Sequence, residues 1–169
     1  IIVTGGSGFV GSHTIKALKE KGYSVFNYDL KEGYDIRNFD QLRSIIEPGD
    51  KILHLAAIAR FDQADNDPEA AWTINVEGTD FVAKAGQKNK AERVIYSSTG
   101  SVYMPIEQDP PITEDFKVRG NSVYGCTKQI MEKMFNEASR HSSKTRFLWV
   151  RYGNVLGTTG SVIPKWRQG

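Results

Sequence analysis

The stretch Thr4-Gly5-Gly6-Ser7-Gly8-Phe9-Val10-Gly11 decides how the rest of the chain is read. It follows Ile1-Ile2-Val3, an apolar β-branched run that reads as the end of a buried strand. It opens into Ser12-His13-Thr14-Ile15-Lys16-Ala17-Leu18-Lys19, where Gly11, Ile15 and Leu18 share one helical face. Strand, glycine-rich turn and helix in succession make a phosphate-binding context. Gly6, Gly8 and Gly11 match G-x-G-x-x-G, and Gly5, Gly8 and Gly11 match the variant G-x-x-G-x-x-G. Without Cβ atoms the backbone can turn tightly and present N–H groups and a helix N-terminus to a pyrophosphate.

Beyond Gly22, the run Tyr23-Ser24-Val25-Phe26-Asn27-Tyr28-Asp29 reads as a second strand that ends in an acid. Asp29 follows Gly11 at close to the ~20-residue spacing at which a carboxylate hydrogen-bonds an adenosine ribose 2′-OH. A carboxylate there repels a 2′-phosphate, so the expected cofactor is NAD rather than NADP, despite the nearby Lys31.

The remaining pattern alternates. Lys31 to Asp35 reads as a loop with a short strand, and Phe39, Leu42, Ile45 and Ile46 mark a helix ended by Pro48-Gly49-Asp50. Lys51 to Ala57 is a buried strand in which His54 reads as a packed core histidine. Asp67-Pro68 starts a long helix with Ala71, Asn75, Gly78 and Val82 on one face. Arg93 to Ser98 is a strand, followed by a loop with Pro105, Pro110 and Pro111, a helix over 121–140 and a strand over 145–151. The expected fold is α/β, a doubly wound, Rossmann-type parallel sheet with helices on both faces.

Bulk properties narrow the function. The chain has 169 residues, 39% hydrophobic and 25% charged, with a formal charge of +2 and both signs interspersed. That describes a globular domain with neither a nucleic-acid patch nor a membrane face. No apolar run reaches the ~18 residues of a membrane span. The single cysteine, Cys126, leaves no internal disulfide and fits a reducing, cytoplasmic setting. No cluster with metal-ligand spacing stands out. The chain starts within a strand and stops after Trp166-Arg167-Gln168-Gly169 with no closing element, as expected of part of a longer protein.

Ligands of open α/β sheets sit beyond the carboxyl ends of the strands. There the strand at 93–98 ends in Ser97-Ser98-Thr99, and the next helix carries Tyr124 and Lys128 one turn apart. Lys128 lies on an apolar stripe with Met131 and Phe135, where a lysine is costly without partners. A phenol, with its reference pKa of about 10, becomes a usable base when an ammonium and a positively charged nicotinamide stabilise the phenolate. Tyr124 can then take a sugar hydroxyl proton as hydride leaves the same carbon for NAD⁺. Thr99 would position that oxygen, and Lys128 would also hold the nicotinamide ribose. Asn75 is a polar residue on an apolar helix face; a structural hydrogen bond and a cofactor-site role are both open to it.

These segments together resemble the extended short-chain dehydrogenase/reductases, specifically the NAD-dependent epimerase/dehydratase family. The resemblance runs through Thr4–Gly11, Asp29, Asp35-Ile36, His54-Leu55-Ala56-Ala57, Asn75-Val76-Glu77-Gly78-Thr79, Ser97–Tyr103, Tyr124–Lys128 and Arg151–Gly157. It implies that Phe9 and Val10, with Gly5, Gly8 and Gly11, border the pyrophosphate and Asp29 takes the adenosine ribose. It further implies that Asp35 and Ile36 flank the adenine, and that Leu55 to Ala59, with Ala56 and Ala57 between them, line the dinucleotide with Asn75 nearby. Thr99, Tyr124 and Lys128 become the catalytic group, with Ser97 at the cofactor, Gly153 by the nicotinamide, and Asn154 with Thr99 and Tyr124 on the substrate. The implied substrate is a nucleotide sugar of the UDP type, the implied reaction C4 epimerisation, and a homodimer is among the assemblies that the family allows.

Two departures keep alternatives open. Family 4,6-dehydratases follow the threonine with Asp-Glu or Asp-Lys, whereas Gly100 and Ser101 follow Thr99. Conversely, Arg151 to Gly157 and Gly160-Ser161-Val162-Ile163-Pro164 look like a segment of UDP-N-acetylglucosamine dehydratases. The C-terminal substrate domain of the family is expected to be missing, which leaves residues 1–169 as an NAD-binding domain. A dehydratase, a nucleotide-sugar reductase and a catalytically silent dinucleotide-binding module therefore stand beside the epimerase.

Overall fold

The computed structural model describes residues 1–103 and 111–157. Five parallel strands, β1 (Ile2–Thr4), β2 (Phe26–Tyr28), β3 (Lys51–His54), β4 (Arg93–Thr99) and β5 (Arg146–Tyr152), form one sheet in the order β2-β1-β3-β4-β5. The chain leaves β1 toward β2, then returns to the other side of β1 for β3. That reversal creates the crevice in which doubly wound sheets bind ligands. Among the described residues no helix is long and apolar enough to cross a membrane.

Side-chain alternation along the strands assigns the two faces. Ile2, Tyr28, Ile52, Val94, Tyr96 and Phe147 point into the main core. There they meet Leu42 of helix α2 (Phe39–Ile45), Val82 of α5 (Thr79–Lys88), and Met131 and Phe135 of α6 (Val123–His141). Burying each large apolar side chain contributes roughly 1.5–3 kcal/mol. Helix α1 (Phe9–Glu20) connects β1 to β2 in the opposite sense from the later crossovers. With right-handed connections it therefore lies on the other face.

Local signals set the helix starts. The Asn38 side chain accepts from Gln41 N–H at 3.0 Å, and Ser122 Oγ accepts from Gly125 N–H at 3.0 Å. Asp67 caps α4 (Pro68–Trp72) by accepting from Ala70 N–H at 2.9 Å, with Pro68 at the first helical position.

Several expectations need correction. No strand forms between Lys31 and Asp35. Asp29 instead accepts from Lys31 N–H at 3.0 Å and starts a 3₁₀ turn, Leu30–Glu32, closed by Gly33 at φ +83°. β3 ends at His54, three residues early: Leu55 N–H is shared between Thr4 O at 3.1 Å and Thr4 Oγ1 at 3.2 Å, and Ala56 N–H meets Thr4 Oγ1 at 3.3 Å. A helix that apolar periodicity did not announce, α3 (Phe61–Asn66), precedes Asp67. The long helix after Pro68 is interrupted by a π-helical turn, Thr73–Gly78, between α4 and α5. Pro105 and Pro110 lie outside the described residues.

Candidate active site

The glycine turn is built by sterics. Gly5 sits at φ +69°, and a Cβ there would fall 2.6 Å from Ala56 N. A Cβ on Gly11 would come within 2.2 Å of Gly5 O, and one on Gly6 within 2.1 Å of Asn27 Oδ1. Gly8 is different: it caps α1 with ordinary φ, and its nearest obstacle is Gly5 O at 3.2 Å. No side chain caps α1 and no acid occupies its first turn, where Phe9, Val10 and Gly11 stand. The positive end of the helix is therefore uncompensated, as an anion site requires.

A cleft of about 320 Å³ opens beside this turn. Gly5, Gly8, Asp29, Asp35, Ile36, Leu55, Ala56, Ala57 and Ile58 line it, and so do Arg37 and Ile74, which the sequence did not single out. Asp29 closes the turn from the β2 side, accepting from Ser7 N–H at 3.1 Å. Arg37 Nη2 donates to Asp35 at 2.7 Å and, with the Arg37 backbone N–H at 2.9 Å, holds that carboxyl below its ordinary pKa. Ala59, the last residue of the expected stretch, is exposed and is not part of this wall.

Asn75 acts on the cleft indirectly. Its Oδ1 accepts from Ile58 N–H at 2.8 Å, and its Nδ2 donates to Ile58 O at 3.0 Å and Thr127 Oγ1 at 3.2 Å. The structural role that the sequence left open thus occupies the whole amide. His54, fully buried, lies between Thr4 Oγ1 at 2.6 Å and Thr79 Oγ1 at 2.8 Å. Thr4 Oγ1 accepts two N–H groups, so its own proton faces His54 Nδ1 and the ring carries its proton on Nε2. Burial, and then the Lys128 charge, push His54 down to about 3.

At the end of β4 the hydroxyls and the Tyr-x-x-x-Lys helix converge. Lys128 is 2% exposed and donates from Nζ to Ser97 O at 2.8 Å. Nζ stands 4.7 Å from the centroid of the Tyr96 ring and 5.7 Å from that of Tyr124. Burial alone pushes the ammonium down to about 7. Thr99 Oγ1 donates to Ser101 Oγ at 3.1 Å. Tyr124, 8% exposed and edge-on to Phe61, is raised above its usual value by burial, while the hydroxyl of Thr99 acts against that rise. Gly153 and Asn154 follow β5 directly; they are exposed, and Tyr152 before them pairs with Thr99. Among the described residues no group of three metal-binding side chains gathers.

A buried charge network under this cluster had no sequence signal. Arg151 donates to both oxygens of Glu132 at 2.9 and 2.7 Å, and Ser98 Oγ donates to Glu132 at 2.5 Å. Arg151 also reaches the Tyr103 hydroxyl and, at 2.9 Å, Glu114 O. It therefore ties α6, β5 and the segment after Thr99 into one unit.

Known proteins resemble the chain in sequence and in fold. A UDP-glucose 4-epimerase of Streptomyces lividans is 31% identical, covering 95% of this chain and 54% of the relative. One from Dictyostelium discoideum is 28% identical, covering 93% and 52%. The chain thus spans about half the length of the curated relatives it matches. Among solved structures, a UDP-glucose 4-epimerase from Brucella ovis in complex with NAD superposes with a TM-score of 0.83 at 30% identity, covering 90% of this chain and 51% of that one. A UDP-N-acetylglucosamine 4-epimerase from Methanobrevibacter ruminantium, in complex with UDP-N-acetylmuramic acid, gives 0.86 at 26%, covering 99% and 61%. The profile of the NAD dependent epimerase/dehydratase family matches residues 1–168, and the chain belongs to that family.

Proposed function

We propose that the protein is a nucleotide-sugar 4-epimerase that uses NAD, with Tyr124 as its base. The observation that carries this reading is the convergence of Tyr124, Lys128 and Thr99 at the carboxyl end of β4, on the same edge of the parallel sheet as the cleft that begins at the uncapped glycine turn. The turn fits a dinucleotide: Gly8 leaves room for close approach, and the N–H groups of Phe9, Val10 and Gly11 suit a pyrophosphate. Asp29 suits the adenosine ribose, Asp35 and Ile36 the adenine, and Leu55 to Ile58 the remaining wall. NAD, when bound, supplies a hydride acceptor for the sugar carbon and a positive charge beside the phenol.

The chain's own groups divide the work. Lys128 holds a ribose hydroxyl, Thr99 orients the C4 hydroxyl of the sugar, and Tyr124 removes its proton. Burial raises Tyr124, so it needs the neighbouring positive charges to titrate in a useful range. Once a 4-keto sugar has formed, it turns its other face, and Tyr124 would return the proton to the C4 oxygen as the abstracted hydride comes back to C4 on that face. Loss of water would need a base at C5 and an acid at the leaving oxygen, whereas Gly100 and Ser101 offer no titrating group. Glu107 and Asp109 lie outside the described residues. A UDP-sugar is the substrate in this reading, by analogy with the named relatives.

Incubating a full-length form of the protein, one that carries the substrate half as well as residues 1–169, with NAD and either UDP-glucose or UDP-N-acetylglucosamine tests the reading; residues 1–169 alone are expected to turn over neither sugar. Unchanged mass with inversion at C4 by NMR is expected, and a product lighter by one water would refute it. In the full-length form, Tyr124→Phe is expected to retain NAD binding and lose turnover by about 10²-fold or more. Titration should show tighter binding of NAD than of NADP, as Asp29 requires.

A further inference from the structure

Tyr96 belongs neither to the cleft wall nor to the catalytic cluster. It is 1% exposed, it stacks with His54 at 5.8 Å, and it packs on Phe135 at 5.3 Å. Among the described residues its hydroxyl has no hydrogen-bond partner, so the usual polar contact of a buried tyrosine oxygen is missing there. The face of the ring does have a partner: Lys128 Nζ, 4.7 Å from the centroid.

Lys128 needs such a neighbour. An ammonium has three donors, and among the described residues one is engaged, with Ser97 O at 2.8 Å. The groups that face it from β3 and β4 are His54, held neutral, and Tyr96. From its own helix come Tyr124 and Glu132, and Glu132 is occupied by Arg151 of β5 and by Ser98. No free carboxylate among the described residues therefore pairs with the ammonium. A cation over an aromatic face gains most where water is excluded.

We propose that Tyr96 is a positioning residue of the cofactor site: the face of its ring, and not its hydroxyl, holds the Lys128 ammonium toward the dinucleotide ribose and the Tyr124 phenol. The cofactor part of this statement rests on the proposed function; the contact between ring and ammonium does not.

Two measurements test it. In the cofactor-free chain, the Lys128 ¹³Cε resonance, assigned with Lys128→Met, is titrated in wild type, Tyr96→Phe and Tyr96→Leu. Tyr96→Phe should titrate with wild type, and Tyr96→Leu about one pH unit lower, the scale of one desolvated cation–π contact. Equal titration of Tyr96→Leu and wild type would overturn the proposal, and so would an equal shift in Tyr96→Phe, which would credit the hydroxyl. If Tyr96→Leu does not fold, the wild-type spectrum decides: Lys128 Hε protons shifted upfield by the ring are expected, and their absence overturns the contact. Calorimetric NAD affinity is then followed from pH 6 to 9. It should fall as Lys128 loses its proton, and at a lower pH in Tyr96→Leu, with binding about tenfold weaker near pH 7.5. A Lys128 titration that follows Tyr96 in a chain without NAD affinity would refute the cofactor reading and leave the contact standing.

Discussion

Lys128 and His54 are buried titratable groups, and each carries less charge in the folded chain than it does in water. Burial moves Lys128 from 10.5 to about 7, so between those values the unfolded chain binds the additional proton. Stability of the cofactor-free chain therefore rises with pH across that window, and the cost of the buried ammonium is fully present below it. Lys128→Met should stabilise the cofactor-free chain at pH 6–7 by about 1–4 kcal/mol while weakening NAD binding, as urea melts and calorimetry would read. Unchanged stability would mean that the ammonium is better solvated than its 2% exposure implies. His54 has a different window, because its value falls from 6.5 to about 3. The unfolded chain takes up the proton first as pH drops below 6.5, so stability is lost toward acid at up to about 1.4 kcal/mol per pH unit. His54→Asn should be less stable at pH 7.5, yet lose less on going to pH 5. Parallel slopes for the two proteins would show that carboxylates alone drive the acid loss.

At the scale of elements, the turn between β1 and α1 separates glycines that build the fold from one that leaves room for a ligand. Gly5→Ala places a Cβ 2.6 Å from Ala56 N at φ +69°, and should cost about 2 kcal/mol or more. Gly8→Ala meets only Gly5 O at 3.2 Å. It should melt within about 1 kcal/mol of wild type yet bind NAD markedly more weakly. If Gly8→Ala binds NAD as wild type does, the pyrophosphate does not approach there. This turn was legible because three constraints, strand, glycine spacing and helix, coincide in one short segment. The proximity of Tyr124 and Lys128, the candidate catalytic pair, was legible because one helical turn fixes their spacing. Other features were hidden for physical reasons. The face formed by Ala71, Asn75, Gly78 and Val82 reads equally well on a regular helix, so the π-helical turn left no trace in the periodicity. Helix α3 is polar along Asp62, Gln63 and Asp65, and only Ala64 within it is buried. The pairing of Glu132 with Arg151 is made by tertiary folding across α6 and β5, where no local rule applies. At Asn75 the sequence showed that a buried amide needs partners, but only the fold showed that Ile58 and Thr127 supply them.

The whole molecule is a sheet with unequal faces. One face meets α2, α5 and α6 and carries the core, whereas α1 lies on the other beside β1. Along β5 the contrast is sharpest between neighbours: Phe147 is 4% exposed, and Leu148 and Val150 are each 44% exposed. Both kinds of residue have the apolar, β-forming character of a buried strand, so the sequence alone did not distinguish the packed face from the open one. The register does, since Phe147 stands beside Val94 and Leu148 beside Ile95, on opposite sides of the sheet. Phe147→Ala removes a ring that packs edge-on against Phe135 at 5.3 Å, and it should cost about 3–5 kcal/mol. Leu148→Ser, one residue away, removes an apolar group already half in water and should cost within about 1 kcal/mol. It should also reduce self-association of the chain, because Leu148, Val150 and Tyr152 together leave an exposed apolar strip. Urea melts of the two variants and sedimentation of Leu148→Ser at several concentrations provide the test. Equal destabilisation by both substitutions would mean that the second face of β5 is packed in solution, and the one-sided core would have to be abandoned.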